Sequence, residues 1–145
     1  MKSLPWPFSS GRFVIVRRRV RRAPRRRASR RSTEAARGTY LEHRERARAL
    51  VTARLIHFNQ TYGFTYGQIA IRDQRSRWGS CSSKGNLNFN YRIALLPPHL
   101  ADYIIVHELC HRGEFNHSQR FWDLVARTFP DYLALRAELK KIPLR

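Results

Sequence analysis

The sequence predicts a small α+β domain ordered as one long helix, a short β-sheet and three further helices. Three observations carry this. The run "YLEHRERARALVTARLIHFNQTYG" (40–63) repeats apolar residues at helical spacing. The run "NLNFNYRI" (86–93) alternates apolar Leu87, Phe89, Tyr91 and Ile93 with polar Asn88, Asn90 and Arg92. After Pro97-Pro98 the chain shows three helical stretches separated by stop signals.

Each element has a local reason. Thr39 and Glu42 make a T-x-x-E capping box at the start of the long helix, and Gly63 offers its stop. Leu41, Leu50/Val51, Leu55 and Phe58 form its expected inner face. "GQIAIRDQ" (67–74) places Ile69 and Ile71 on one side and reads as a strand. "RSRWGSCSSKG" (75–85) reads as a loop that ends in a turn at Lys84-Gly85. Pro97-Pro98 closes the second strand and opens "HLADYIIVHELCHR". Asn116 with Gln119 would cap "HSQRFWDLVARTF", which Pro130 ends, and Asp131 would cap "YLALRAELKK".

Charge divides the chain unevenly. The 145 residues carry 29 Lys and Arg against 10 Asp and Glu, a net charge of +19. Ten arginines fall within 17–32, so 1–38 is expected to be an arginine-rich, partly disordered segment and 39–145 the folded domain. "RFVIV" (12–16) is a possible short strand inside that segment. Without interleaved aromatics, the run suits non-specific, salt-sensitive contact with nucleic acid, or a solvated tail. Two cysteines without CxxC spacing make no disulfide framework. No apolar run approaches the roughly eighteen residues of a membrane span, and no secretory signal is evident. A cytoplasmic protein that does not engage a membrane is expected.

The chemistry concentrates in "HELCHRGEFNH" (107–117), which holds three of the six histidines. His107 and His111, four apart, lie on one face of a helix and can reach one cation. Glu108 sits about 100° round the helix from His107, badly placed as a ligand beside them but well placed to touch a water on the metal. A continuing helix would put His117 roughly 240° away, so the helix must end between His111 and His117. Gly113 is the residue expected to permit a left-handed exit. Three histidines with one open position suit catalytic zinc, one per chain; structural zinc usually takes four protein ligands and prefers cysteine. Cys110 is read as a small buried thiol and not a fourth ligand. His43, His57 and His99 are given surface or packing roles, and Phe121 and Trp122 are read as core.

The residues around the motif extend the picture. "RWGSCSSKG", the "NYR" at a strand end, "PP…DYIIVHELCH" and "NHSQRFW" together resemble the YgjP-like metallopeptidases, relatives of the SprT-like proteases among the gluzincin-type zincins. The close match covers about a third of the chain, residues 75–122. The resemblance implies a small zincin-like, minigluzincin-type domain, with zinc on His107, His111 and His117 and Glu108 as catalytic base. It implies peptide-bond hydrolysis by a Glu-activated, zinc-bound water, with a peptide or protein as substrate. By family position and chemistry, Arg77, Tyr91 and Arg92 are candidate transition-state or substrate contacts. Asn90 and Asn116 are candidates for orienting the histidine ligands. The strand at 86–92 is the expected partner of extended substrate. A metzincin is excluded, because Glu114 stands at that group's glycine position and Met1 is the only methionine. The same site could serve a nucleotide phosphoanhydride hydrolase, or the chain could act mainly as a basic nucleic-acid-associated protein.

Overall fold

A computed structural model describes residues 30–144, with side chains from Gly38 onward. The "RFVIV" segment and the arginine run up to residue 29 lie outside the described residues. Helix α1 spans Arg30–Tyr62. Strands β1 (Ile69–Arg72), β2 (Gly79–Cys81) and β3 (Leu87–Asn90) follow. A 3-10 helix (Tyr91–Leu95) leads to α2 (Pro98–Cys110), α3 (Gln119–Ala126) and α4 (Tyr132–Leu139). The expected α+β order holds, and no described helix is long and apolar enough to cross a membrane.

Helix α1 starts well before the expected capping box. It passes through Thr39 without a break, so Thr39 and Glu42 are interior positions and not a cap. Its buried face is Ala47, Val51, Leu55 and Phe58, spaced four, four and three apart. Leu41, expected on that face, is 52% exposed. The stop at Gly63 is as expected: its φ is 65° and its N–H bonds to the Asn59 carbonyl at 2.7 Å.

The sheet has three strands in the order β1-β3-β2. β1 runs parallel to β3 and β2 antiparallel to it, with Ile71 opposite Phe89 and Gly79 opposite Phe89 from the other side. β2 falls within the stretch expected as loop, because "GSC" has no apolar alternation to announce a strand. Its presence makes β3 the central strand, bonded on both edges. Among the described residues β3 has no free edge to pair with substrate, contrary to the expectation for 86–92, whereas β2 lies at an edge of the sheet. The alternation to Ile93 also overruns the strand. The Asn90 side chain accepts from the Arg92 N–H at 3.1 Å, which caps the 3-10 helix and takes Tyr91 to Ile93 off the sheet.

Helix α2 occupies the centre. Pro98 opens it at N1, and nine of its thirteen residues are buried, Ile105, Val106 and Leu109 completely. A helix apolar on nearly every side must be covered on nearly every side; α1, β2, α3 and α4 all contact it. Asp102 anchors it to α1 through a two-pronged pair with Arg54, Nε to Oδ1 and a terminal nitrogen to Oδ2, both at 2.6 Å. Helix α3 begins after Ser118 and not at Asn116, and α4 begins after Asp131 as expected, though neither Ser118 nor Asp131 makes a side-chain capping bond.

Candidate active site

The last turn of α2 presents His107 and Glu108, and His111 is its C-cap residue. The chain then reverses through a tight turn: Arg112 N–H bonds to the Leu109 carbonyl, and Gly113 and Glu114 N–H both bond to the Cys110 carbonyl, at 2.9 to 3.0 Å. The reversal brings His117 back, as the spacing required. Its mechanism is not the expected one, because Gly113 does not have a positive φ. A Cβ on Gly113 would stand 2.6 Å from Phe64 Cζ and 2.9 Å from Leu124 Cδ1. Glycine is needed there for close packing and not for a left-handed exit.

The three imidazoles converge. One nitrogen from each of His107, His111 and His117 lies within 4.8 Å of the others, and this is the only such group of ligand-type side chains among the described residues. His107 Nε2 and His117 Nε2 are 3.1 Å apart. Two nitrogens at about 2.0–2.1 Å from one tetrahedral zinc are separated by about 3.3–3.4 Å, so this spacing fits the ion with a small adjustment. His111 Nδ1 donates to the Glu114 carbonyl at 3.2 Å in the tautomer that leaves Nε2 as the ligand. His107 Nδ1 is buried without a hydrogen-bond partner among the described residues.

Burial and the neighbouring imidazoles push His107 down to about 3, and burial also lowers His111 and His117. All three are therefore neutral at pH 7, the state that a metal requires. Phe121 is fully buried, as expected of core, yet its ring lies 4.5 to 4.8 Å from all three imidazoles. It holds their planes in place. Trp122 stacks on His117 at 5.7 Å. Cys110 is fully buried, its thiol pushed up to about 12 by that burial, and it is outside the histidine group.

Glu108 is 7% exposed and packs against β2. Burial raises its carboxyl to about 8, against the opposing charge of Arg77. Two adjoining clefts of about 440 and 510 Å³ meet at this point, and Arg77, Gly79, His107 and Glu108 line both. The pair forms one trough over the base and the first histidine, with edge strand β2 along its side. Each half has the size of an ordinary ligand pocket, about 300–1,000 Å³.

Of the other candidate residues, the structure brings only Arg77 to this trough. Tyr91 packs edge-on against Tyr40 of α1 at 5.0 Å. Arg92 lies over the Tyr91 ring and pairs with Asp73 at 2.8 Å. Asn90, fully buried, donates to the Gln74 and Arg77 carbonyls and bonds to none of the histidines. Asn116 is exposed and bonds to no described residue. His43 and His57 lie against Tyr91 and Phe58, and His99 pairs with Glu138, all apart from the site. Sequence reasoning missed Gly79, Trp78 and Arg136. Gly79 and Trp78 were hidden in a stretch read as loop, and nothing in the sequence ties Arg136 of α4 to the motif.

The fold has solved counterparts. The metallopeptidase zymogen of Pyrococcus abyssi abylysin superposes with a TM-score of 0.58 at 23% identity, over 63% of this chain and 92% of that one. The zymogen of Methanocaldococcus jannaschii jannalysin gives 0.50 at 26% identity, over 66% and 97%. The fold is thus minigluzincin-like. No curated protein matches the chain in sequence. The profile of the YgjP-like, metallopeptidase domain family matches residues 13–142, which include the convergent histidines, Glu108 and the edge strand, and the chain belongs to that family.

Proposed function

We propose that this chain is a zinc-dependent peptidase that hydrolyses peptide bonds in the trough over His107 and Glu108. One observation carries the reading: three imidazoles converge beside the buried Glu108 carboxyl at the floor of an open cleft. Zinc on His107, His111 and His117 would polarise the scissile carbonyl and lower the pKa of a water from about 15.7 to near 7.

The residues of the chain supply the rest. Glu108 takes the proton of the attacking water and returns it to the leaving nitrogen. Burial raises this carboxyl in the metal-free chain, and a dication on the histidines would draw it back toward the ionised form that accepts the proton. β2, an edge strand among the described residues, offers backbone groups to an extended substrate, and Arg77, beside Glu108, offers a charge to the developing oxyanion.

The test is a parallel assay of zinc-loaded wild type and Glu108→Gln on an unfolded protein and on nucleoside triphosphates. Wild type should cleave the protein, and the variant should keep its zinc and lose activity by about a thousandfold or more. Triphosphate hydrolysis without proteolysis would replace the peptidase reading with the phosphoanhydride one.

A further inference from the structure

The half of the trough beyond Glu108 has an unusual charge balance. Arg77, Arg136 and Lys140 all line it. None of the three pairs with a carboxylate among the described residues, whereas Arg54 and Arg92 pair with Asp102 and Asp73. Among the described residues the only acidic one in the lining is Glu108, which is buried and lies within reach of the Arg77 charge. The walls between these cations are apolar: Trp78, Tyr103 and Ile104.

Arg136 is also held in place. Its guanidinium lies over the Trp122 ring at 5.2 Å, and Trp122 stacks on Tyr132 at 4.9 Å and 11°. It is close enough to the metal end for its charge to contribute to the lowering of His107 and His117. An exposed guanidinium held over a ring, with no hydrogen-bond partner for its donors among the described residues, is partly organised in advance for a carboxylate.

From the cleft and these cations together, we propose that this half is a subsite for a substrate carboxylate. The enzyme would then favour peptides with an acidic group within a residue or two of the scissile bond. The carboxylate can come from an Asp or Glu side chain or from a free C-terminus. A Glu fits the chemistry best, its methylenes against the apolar walls and its carboxylate at the cationic rim. A Lys at the same place meets three like charges. The inference rests on the peptidase reading for its substrate class.

The experiment walks a single Glu, Gln or Lys through an otherwise neutral, C-terminally amidated peptide. It reads kcat/KM with wild type and fluorescence anisotropy with zinc-loaded Glu108→Gln. At one position Glu should exceed Gln by about tenfold in both readouts, the scale of one partly solvated charge-assisted contact. Lys should fall below Gln there. Arg136→Gln should bring the Glu-to-Gln ratio close to one, Arg136→Lys should keep most of it, and raising salt from 50 to 500 mM should shrink it. A second arm ends the neutral peptide in a free carboxylate at that position, and a gain in this arm alone assigns the subsite to chain ends. If Glu, Gln and free-carboxylate peptides bind alike, or none binds, the subsite does not exist. If Glu peptides bind selectively and no peptide is cleaved, the subsite stands and the peptidase reading falls.

Discussion

Gly79 and Glu108 share one space. A Cβ on Gly79 would stand 2.7 Å from Glu108 Cγ and 2.8 Å from its Oε1, so the edge strand approaches the base closely only because it has no side chain there. The Gly79 backbone is not in the left-handed region, and the constraint is purely steric. Gly79→Ala should fold and bind zinc, yet displace Glu108 by a fraction of an ångström. Misplacement of about 1 Å can cost on the order of a hundredfold, so kcat should fall ten- to a hundredfold with zinc content unchanged. Gly79→Val should be worse. Full activity in Gly79→Ala would show that Glu108 has room to reposition.

Zinc retention separates the ligands from the base. His117 reaches the site across a turn and not from α2, so His117→Ala should leave the fold intact. It leaves two imidazoles on the helix end, and affinity for zinc should drop on the order of a hundredfold or more. Metal analysis after dialysis against a weak chelator reads this directly. Zinc content equal to wild type would remove His117 from the site.

Acid and base act oppositely on the zinc-free protein. Glu108 is raised from 4.5 to about 8, so the folded state holds its proton more tightly than the unfolded chain. Its contribution to stability is full below about 4.5 and is lost as pH rises through about 8. His107 is lowered from 6.5 to about 3, so its contribution is full above 6.5 and is lost as pH falls toward 3. Glu108→Gln removes the first effect alone. In chelator, the thermal midpoint of that variant relative to wild type should rise steadily from pH 5 to pH 8. A difference independent of pH would mean that Glu108 is solvated when the metal is absent.

Much of the site was legible because helix geometry is local. An i, i+4 pair, a base one residue on and a third histidine beyond a break need only the helical repeat to be placed, and His107, Glu108, His111 and His117 come together as their spacing implies. What was not legible depends on contacts across the chain. "GSC" is a strand because β3 offers it an antiparallel partner and Glu108 lies against it, neither of which local propensity records. Arg136 reaches the trough only through the packing of α4 on α2 and the Trp122 stack. The helix start failed for the converse reason: a T-x-x-E pattern occurs as readily inside a helix as at its end, and here α1 runs through it.

Gly113 shows how a correct residue can be chosen for the wrong cause. If a left-handed exit were required, Asn would be the best replacement, since it tolerates that conformation. The structure makes volume the constraint, so cost should follow size. Gly113→Ala should destabilise by about 1–3 kcal/mol through displacement of Phe64 and Leu124, and Gly113→Asn by more. Urea midpoints of the two variants decide between the causes. Asn tolerated better than Ala would restore the conformational explanation.

Asn90 supports the loop that carries Arg77 into the trough. Its Nδ2 donates to the Gln74 carbonyl at 2.6 Å and the Arg77 carbonyl at 3.3 Å, while its Oδ1 accepts from the Arg92 N–H at 3.1 Å. The residue is fully buried, so these groups have no water to turn to. Asn90→Asp keeps the shape and the acceptor but replaces both donors with a carboxylate oxygen that faces two carbonyls. At pH 7 it should cost about 2–3 kcal/mol, the scale of an unsatisfied buried group next to a charge. Acid should restore part of the loss, because a protonated carboxyl regains one donor. The substituted carboxyl would be raised by burial, so its penalty is smallest at low pH and grows as pH rises. Urea midpoints of Asn90→Asp relative to Asn90→Ala should therefore improve from pH 7 to pH 5. A gap between the two variants that does not change with pH would mean that the loop moves away from Asn90 and that Arg77 is positioned by other contacts.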